Sequence, residues 1–262
     1  MELGLAGKVA IVTGGSKGIG RAATLGFIKE GASVLACARG REALDETVAA
    51  VGAADRERIS AMEADLTNPD TIREVIDRAI SEFGRIDMLV NNAGSARPGD
   101  FLKISDADWK LDFELKFFGY MRMARAAMTH MAERKTGVII NVVGTGGLIP
   151  SAGYMVGGAA NAALNHFTKA LAAEGAKHGV RAVGINPGPI LTDRLKLFLD
   201  ARARDAGPSQ REDIMKRMTP LGRPGTPEEV ADLILFLASE RAAFIHGANI
   251  TIDGGANPGL IG

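Results

Sequence analysis

Residues 9–21, VAIVTGGSKGIGR, run from an apolar stretch through a cluster of glycines and back into a helical pattern. Ala10, Ile11 and Val12 read as a strand buried on both faces, Thr13-Gly14-Gly15-Ser16 as a tight turn, and Gly18-Ile19-Gly20-Arg21 as the opening of a helix. Glycine lets a backbone approach a pyrophosphate closely, and the free N–H groups and positive end of a helix favour the anion. Gly14, Ser16, Lys17, Gly18, Ile19 and Gly20 are therefore expected to form a phosphate cradle. Glycine-rich loops occur in many folds, but this one follows a strand, precedes a helix and begins an alternating strand–helix chain. That context predicts dinucleotide binding.

Bulk properties exclude several classes of partner. Thirty-one basic residues balance thirty-one acidic ones, so no global field points to nucleic acid or to an anionic membrane. A hydrophobic fraction of 46% supplies a packed core, and no apolar run approaches the ~18 residues of a spanning helix. The start, MELGLAGK, has neither a basic leader nor a long apolar segment, and a cytoplasmic location is expected. Cys37 stands alone, so no disulfide forms within the chain, and it reads as a small buried hydrophobe at the end of a strand. His130, His166, His178 and His246 show no metal-ligand spacing, and no metal site is expected.

Taken in order, Ala32 to Ala38 reads as a second strand, followed at once by Arg39. In Rossmann units an acid about 20 residues past the glycines holds the adenosine 2′-hydroxyl, whereas a basic residue there accommodates a 2′-phosphate. The acid is missing, and Lys17 and Arg39 can converge on one phosphate, so NADP is preferred over NAD; the plainer alternative is two solvated surface charges. Arg41 to Val51 is a helix, Ile59 to Ala64 a third strand, and Asp65-Leu66 follows at the strand end that faces the ligand crevice in open α/β sheets. Asp65 is placed either to accept a hydrogen bond from the adenine amino group or to start the turn before the next helix. Thr71 to Phe83 is that helix, and Ile86 to Val90 is a fourth strand running into Asn91-Asn92-Ala93-Gly94, small enough for close approach of a cofactor. The remaining clear elements are a helix at Pro227 to Leu237 and a last strand at Ala248 to Ile252.

TGGSKGIG at 13–20 and NNAG at 91–94 resemble the short-chain dehydrogenase/reductase family, and the likeness continues through Asn186-Pro187-Gly188-Pro189-Ile190-Leu191-Thr192 and Ile252-Asp253-Gly254-Gly255. The resemblance spans nearly the whole chain. It implies one Rossmann-like domain over 1–262: a doubly wound, three-layer α/β/α fold with a seven-stranded parallel sheet. It also implies that Asn92, Ala93 and Gly94 contact the cofactor, that Pro187, Gly188, Ile190 and Thr192 lie beside its nicotinamide, and that the irregular stretch 194–219 covers the substrate. In that stretch Leu195, Leu197, Phe198, Ile214 and Met218 serve either as packing residues of a solvated helical hairpin or as the lining of an apolar substrate pocket.

The family's proton-handling groups are a Ser, a Tyr, a Lys and an Asn. The run Asn161-Ala162-Ala163-Leu164 and Phe167-Thr168-Lys169-Ala170-Leu171-Ala172, with Pro187 at its usual distance, resembles the helix after the family's YxxxK. In that register Asn161 replaces Lys, Gly157 replaces Tyr and Gly144 replaces Ser. Leu115-Lys116-Phe117-Phe118-Gly119 resembles the N-L-x-G segment with Lys116 in the place of Asn. A cation has thus appeared where another was lost. Lys116 is expected to project into the vacated space, where an ammonium can polarise a carbonyl or move a proton; the alternative is a lysine that snorkels to solvent or pairs with Glu114 or Asp112. Tyr154, three residues before the usual tyrosine, is either a displaced phenol or a pocket-wall or interface residue, and Thr145 and Ser151 offer further hydroxyls.

Phe117, Phe118, Tyr120, Met121, Met123 and Met128 form a larger apolar face than one helix needs within a monomer, and the family resemblance implies a homodimer or homotetramer. Two functions follow. The first is an NADP-dependent oxidoreductase acting on a small-molecule carbonyl or alcohol, with a proton relay rebuilt from Lys116, Thr145, Tyr154 and Asn161. The second is a non-catalytic nucleotide-binding homologue acting as a sensor or as a partner of an active homologue. Retention of the whole cofactor signature favours the first.

Overall fold

A computed structural model describes residues 2–94, 98–193, 195–196, 199–200 and 208–257. Seven strands, β1 (Val9–Thr13), β2 (Ser33–Ala38), β3 (Ile59–Glu63), β4 (Met88–Asn91), β5 (Gly137–Val142), β6 (Val180–Pro187) and β7 (Asn249–Ile252), pair in parallel in the order β3-β2-β1-β4-β5-β6-β7. The chain winds outward from β1 through β2 to β3, then crosses back to lay β4 on the other side of β1. That reversal is the switch point at which doubly wound sheets open a ligand crevice, above the C-terminal ends of β1 and β4.

The α-helices with described bounds are α1 (Gly18–Lys29), α2 (Arg41–Ala49), α3 (Pro69–Phe83), α4 (Asp106–Phe113), α5 (Gly119–Glu133), α6 (Met155–Ala176), α7 (Pro208–Arg217) and α8 (Pro227–Ala238). Alternation along the strands explains the three layers. Ala10, Val12, Val34, Met88, Val90 and Ile140 point into one core with Phe27 and Ile28 of α1 and Val230 and Ile234 of α8, whereas Ile11, Leu35, Leu89 and Ile139 point into another with residues of α3, α5 and α6. Both faces being covered, the strands carry almost unbroken apolar runs. The ends obey ordinary capping chemistry: Asn68 accepts from the Asp70 N–H ahead of Pro69, and Thr226 and Glu229 form a reciprocal capping box ahead of α8. Helix α3 therefore begins at Pro69, two residues before the sequence-based start, because Asn68 is its cap.

Cys37 lies in β2, fully enclosed, and burial pushes its thiol up to about 12. The thiolate, which is the reactive form, is suppressed at ordinary pH. The native protein is expected to resist a disulfide reagent such as dithionitrobenzoate at pH 8 and to titrate one thiol once unfolded; rapid labelling of the native chain would contradict this burial. None of the described helices is long and apolar enough to cross a membrane, and no cluster of metal-ligating side chains occurs among the described residues. Arg194, Leu197 and Phe198 lie outside the described residues, while Leu195, Ile214 and Met218 are half-buried.

Candidate active site

The phosphate turn is set by where a side chain will not fit. Gly14 has φ of +65° and Gly18 of +51°, a region glycine enters without penalty. A Cβ at Gly20 would overlap the Gly14 carbonyl oxygen, and one at Gly14 would stand 2.9 Å from Asn92 Nδ2. The Thr13 hydroxyl ties the turn to β4: it donates to the Val90 carbonyl (3.3 Å) and accepts from the main-chain N–H groups of Asn92 (2.9 Å) and Ala93 (3.0 Å). Asn92 Nδ2 returns the contact to the carbonyls of Thr13 (3.1 Å) and Gly14 (3.3 Å). A cradle closed to side chains at the N-terminus of α1 suits a pyrophosphate.

Around it the other sequence candidates take their places. Lys17 is the N-cap residue of α1 and Arg39 follows β2; both are exposed, and among the described residues neither makes an ion pair. Asp65 Oδ1 accepts from the Thr67 N–H (3.0 Å) and hydroxyl (2.9 Å), so this carboxylate organises the turn after β3, while Leu66 is buried. The segment after β6 reaches back to the phosphate turn: a Cβ at Gly18 would stand 3.1 Å from Thr192 Cγ2. Gly188 donates to the Ile252 carbonyl (3.0 Å), and Pro189, Ile190 and Leu191 pair with Gly225. Next to Gly225, Arg223 donates to the Pro224 carbonyl (3.1 Å) and binds Glu229 through two contacts of 2.9 and 2.6 Å. Arg223 first, then the Thr226 N–H, keeps the Glu229 carboxyl down at about 2.

The corner around Lys116 is built on a local departure from α-helix. Between α4 and α5, Glu114–Phe118 forms a π-helical turn, closed by the Gly119 N–H bonding to the Glu114 carbonyl. Such wide turns concentrate at functional sites. The turn aims Lys116 at the sheet, where a Cβ at Gly94 would stand 2.8 Å from its Cδ. Lys116 Nζ donates to the carbonyls of Val143 (3.1 Å) and Val142 (3.2 Å) and to the Tyr120 hydroxyl (3.4 Å). Glu114 pairs instead with Arg122. The ammonium is thus seated at the C-terminal end of β5, beside Gly94.

Beyond β5 the backbone has little room for side chains. Gly144 has φ of +129°, and a Cβ there would stand 3.0 Å from Asn161 Nδ2. The next residues, Thr145–Gly147, form a 3₁₀ turn pressed onto α6, so that a Cβ at Gly147 would stand 2.6 Å from the main-chain carbon of Asn161. Gly146 lies between the Tyr154 ring (2.8 Å from a Cβ there) and Asn161 Nδ2 (3.7 Å). Asn161 is 2% exposed, and its Oδ1 is buried with no hydrogen-bond partner among the described residues. Lys116, Gly144, Asn161 and Tyr154 therefore border one region, with Thr145 in the loop between them and Ser151 exposed at its outer end.

Reading the sequence as an apolar face missed Tyr120. Tyr120 and Met123 are fully enclosed within the monomer, leaving Phe118, at 38% exposure, as the more exposed part of that face. The Tyr120 hydroxyl donates to the Val142 carbonyl (3.0 Å). The signal was its four-residue spacing from Lys116, which places the two on one helical face.

A glycine cradle at the switch point of a seven-stranded parallel sheet defines a dinucleotide-binding α/β protein. Comparison with known proteins narrows the class. The family model described as enoyl-(acyl carrier protein) reductase matches residues 14–257. The 3-oxoacyl-(acyl-carrier-protein) reductase FabG of Thermotoga maritima is 33% identical over 251 residues, covering 96% of this chain and 98% of that protein. The 2,3-dihydro-2,3-dihydroxybenzoate dehydrogenase of Bacillus subtilis is 31% identical, covering 98% of each. The solved structure of L-sorbose reductase from Gluconobacter frateurii, complexed with NADPH and L-sorbose, superposes with a TM-score of 0.93 at 33% identity over 98% of each chain. The chain belongs to the short-chain dehydrogenase/reductase family, a family of oxidoreductases.

Proposed function

We propose that the chain is an NADP(H)-dependent oxidoreductase interconverting a small-molecule carbonyl and its alcohol, with a proton path rebuilt from Lys116, Thr145, Tyr154 and Asn161. The observation that carries this reading is the Lys116 ammonium, seated on the Val142 and Val143 carbonyls next to Gly94. A chain kept only for nucleotide binding has no evident need of a cation there. A bound nicotinamide supplies or accepts the hydride. The cradle from Gly14 to Gly20 binds the pyrophosphate, Lys17 and Arg39 take the 2′-phosphate, Asp65 and Leu66 border the adenine, and Asn92, Ala93, Gly94, Pro187, Gly188, Ile190 and Thr192 line the nicotinamide end.

Lys116, its three N–H donors held by Val142, Val143 and Tyr120, acts on the substrate oxygen through its charge rather than through a hydrogen bond, the hydroxyls of Thr145 and Tyr154 serve as the proton donors and acceptors, and the Asn161 amide orients the groups around Gly144 and Gly146. The substrate-covering role is given to the 194–219 stretch, of which 194, 197, 198 and 201–207 lie outside the described residues, and Leu111 and Phe118, both exposed, belong to a homodimer or homotetramer interface. NADPH in the L-sorbose reductase complex supports the cofactor choice. The competing reading, an inactive nucleotide-binding partner of an active homologue, draws on the glycines at 144 and 157 and on Asn161.

Cofactor choice is tested by titrating wild-type and Arg39→Glu protein with NADPH and NADH, following nicotinamide fluorescence. Losing a charge-assisted contact worth ~1.5–3 kcal/mol weakens NADPH binding by roughly 10- to 100-fold, whereas NADH binding is kept or improved, because an acid there suits the free 2′-hydroxyl. An equal effect on both cofactors, or on neither, contradicts the assignment of Arg39. Oxidation of bound NADPH on adding carbonyl compounds tests the reaction itself; tight binding with no oxidation by any of them supports the inactive partner.

A further inference from the structure

Tyr120 is anchored at both ends. Its main-chain carbonyl accepts from Asn91 Nδ2 (3.3 Å), which also donates to Asn141 Oδ1 (3.0 Å), so the backbone at the start of α5 is tied to β4 and β5. Its ring is 1% exposed and packs with Val143 and Leu164, against Phe117 and Phe167. Packing alone would be met by phenylalanine. The hydroxyl is what phenylalanine lacks, and it does two things: it donates to the Val142 carbonyl at 3.0 Å and accepts from Lys116 Nζ at 3.4 Å. An ammonium carries three N–H donors, and Val142 O, Val143 O and Tyr120 Oη all stand within hydrogen-bonding range of this one. A lysine side chain is a flexible four-carbon stem that loses much entropy when held, so the acceptors that fix it decide where its charge stands.

We propose that Tyr120 is a positioning residue: its buried phenol, itself fixed by Val142, holds the Lys116 ammonium at the C-terminal end of β5 and keeps it there as a stationary charge facing the crevice. The inference rests on the role given to Lys116 above. It extends that role to a residue that never reaches the substrate.

The test uses Tyr120→Phe in the full-length protein, which removes one oxygen and leaves the ring. Isotope-coded acetylation with acetic anhydride, read by peptide mass spectrometry, is expected to show Lys116 reacting roughly 3- to 10-fold faster, the scale of one lost hydrogen bond, while exposed Lys169 reacts as before. Against a carbonyl substrate, kcat falls by a similar factor with KM unchanged, and the loss disappears in a Lys116→Met background, because the two residues act as one unit. If Tyr120→Phe does not fold, 3-fluorotyrosine labelling replaces it. The chain has two tyrosines, so Tyr154→Phe assigns the Tyr120 fluorine signal, which Lys116→Met is expected to shift. Unchanged acetylation of Lys116, additive losses in the double variant, or a fluorine signal indifferent to Lys116 overturns the inference. Acetylation and fluorine readouts need no turnover, so an enzyme that turns over no carbonyl compound would fail the proposed function without deciding Tyr120.

Discussion

Replacing Lys116 by methionine is expected to lower turnover by about 10²- to 10³-fold, the cost of removing one preorganised charge from a developing oxyanion. NADPH affinity is expected to stay within about twofold, because the side chain removed is not part of the glycine cradle and a change confined to the reacting end leaves ground-state cofactor binding intact. Methionine keeps the length and apolar body of the stem that crosses Gly94, so the change isolates the ammonium. The expected pattern is a fall in kcat without a matching rise in cofactor Kd. Unaltered turnover would remove Lys116 from the chemistry, and a parallel loss of NADPH binding would give it a structural role instead.

Restoring the family's usual groups by Gly144→Ser, Gly157→Tyr and Asn161→Lys is expected to damage the protein rather than repair it. At φ of +129° Gly144 has a backbone conformation that a side chain adopts only under strain, whatever residue stands at 161. Serine there costs about 1–3 kcal/mol, which for a chain of this size lowers Tm by several degrees. Gly157 is buried in α6, and a tyrosine ring inserted at a packed position adds a further ~1–3 kcal/mol of strain. The triple variant is expected to melt well below the wild type and to gain no activity. A variant of wild-type Tm with faster turnover would show that this backbone tolerates the ordinary arrangement after all.

The same geometry explains which parts of the molecule were legible beforehand. Local chemistry writes the cradle: glycines between a buried strand and a helix have few other uses, and the alternating apolar runs of 10–12, 34–37 and 88–90 announce a sheet covered on both sides. That Gly144, Gly157 and Asn161 stand in the places of Ser, Tyr and Lys is an expectation drawn from the register of the helix that follows them. What stayed hidden depends on distant pairs. The Lys116 ammonium is seated by carbonyls at 142 and 143, and main-chain carbonyls leave no mark in side-chain pattern. A π-helical turn has no compositional signature either, so the direction of Lys116 was an expectation rather than a reading. Tyr120 looked apolar because its ring is packed; its hydroxyl matters only once β5 is in place. Asp65 shows the reverse case, a carboxylate consistent with ligand contact whose Oδ1 is spent on Thr67.

Hydride transfer with a relocated cation is the claim on which the functional account stands, and isotope transfer reaches it most directly. NADPH carrying deuterium on one face of nicotinamide C4 is incubated with the protein and a panel of ketones, quinones and acyl thioesters, and the products are weighed. The account predicts that at least one carbonyl compound gains deuterium from a single face, and that Lys116→Met suppresses the gain without loosening NADPH. Tight NADPH binding with no deuterium delivered to any compound from either face would contradict it.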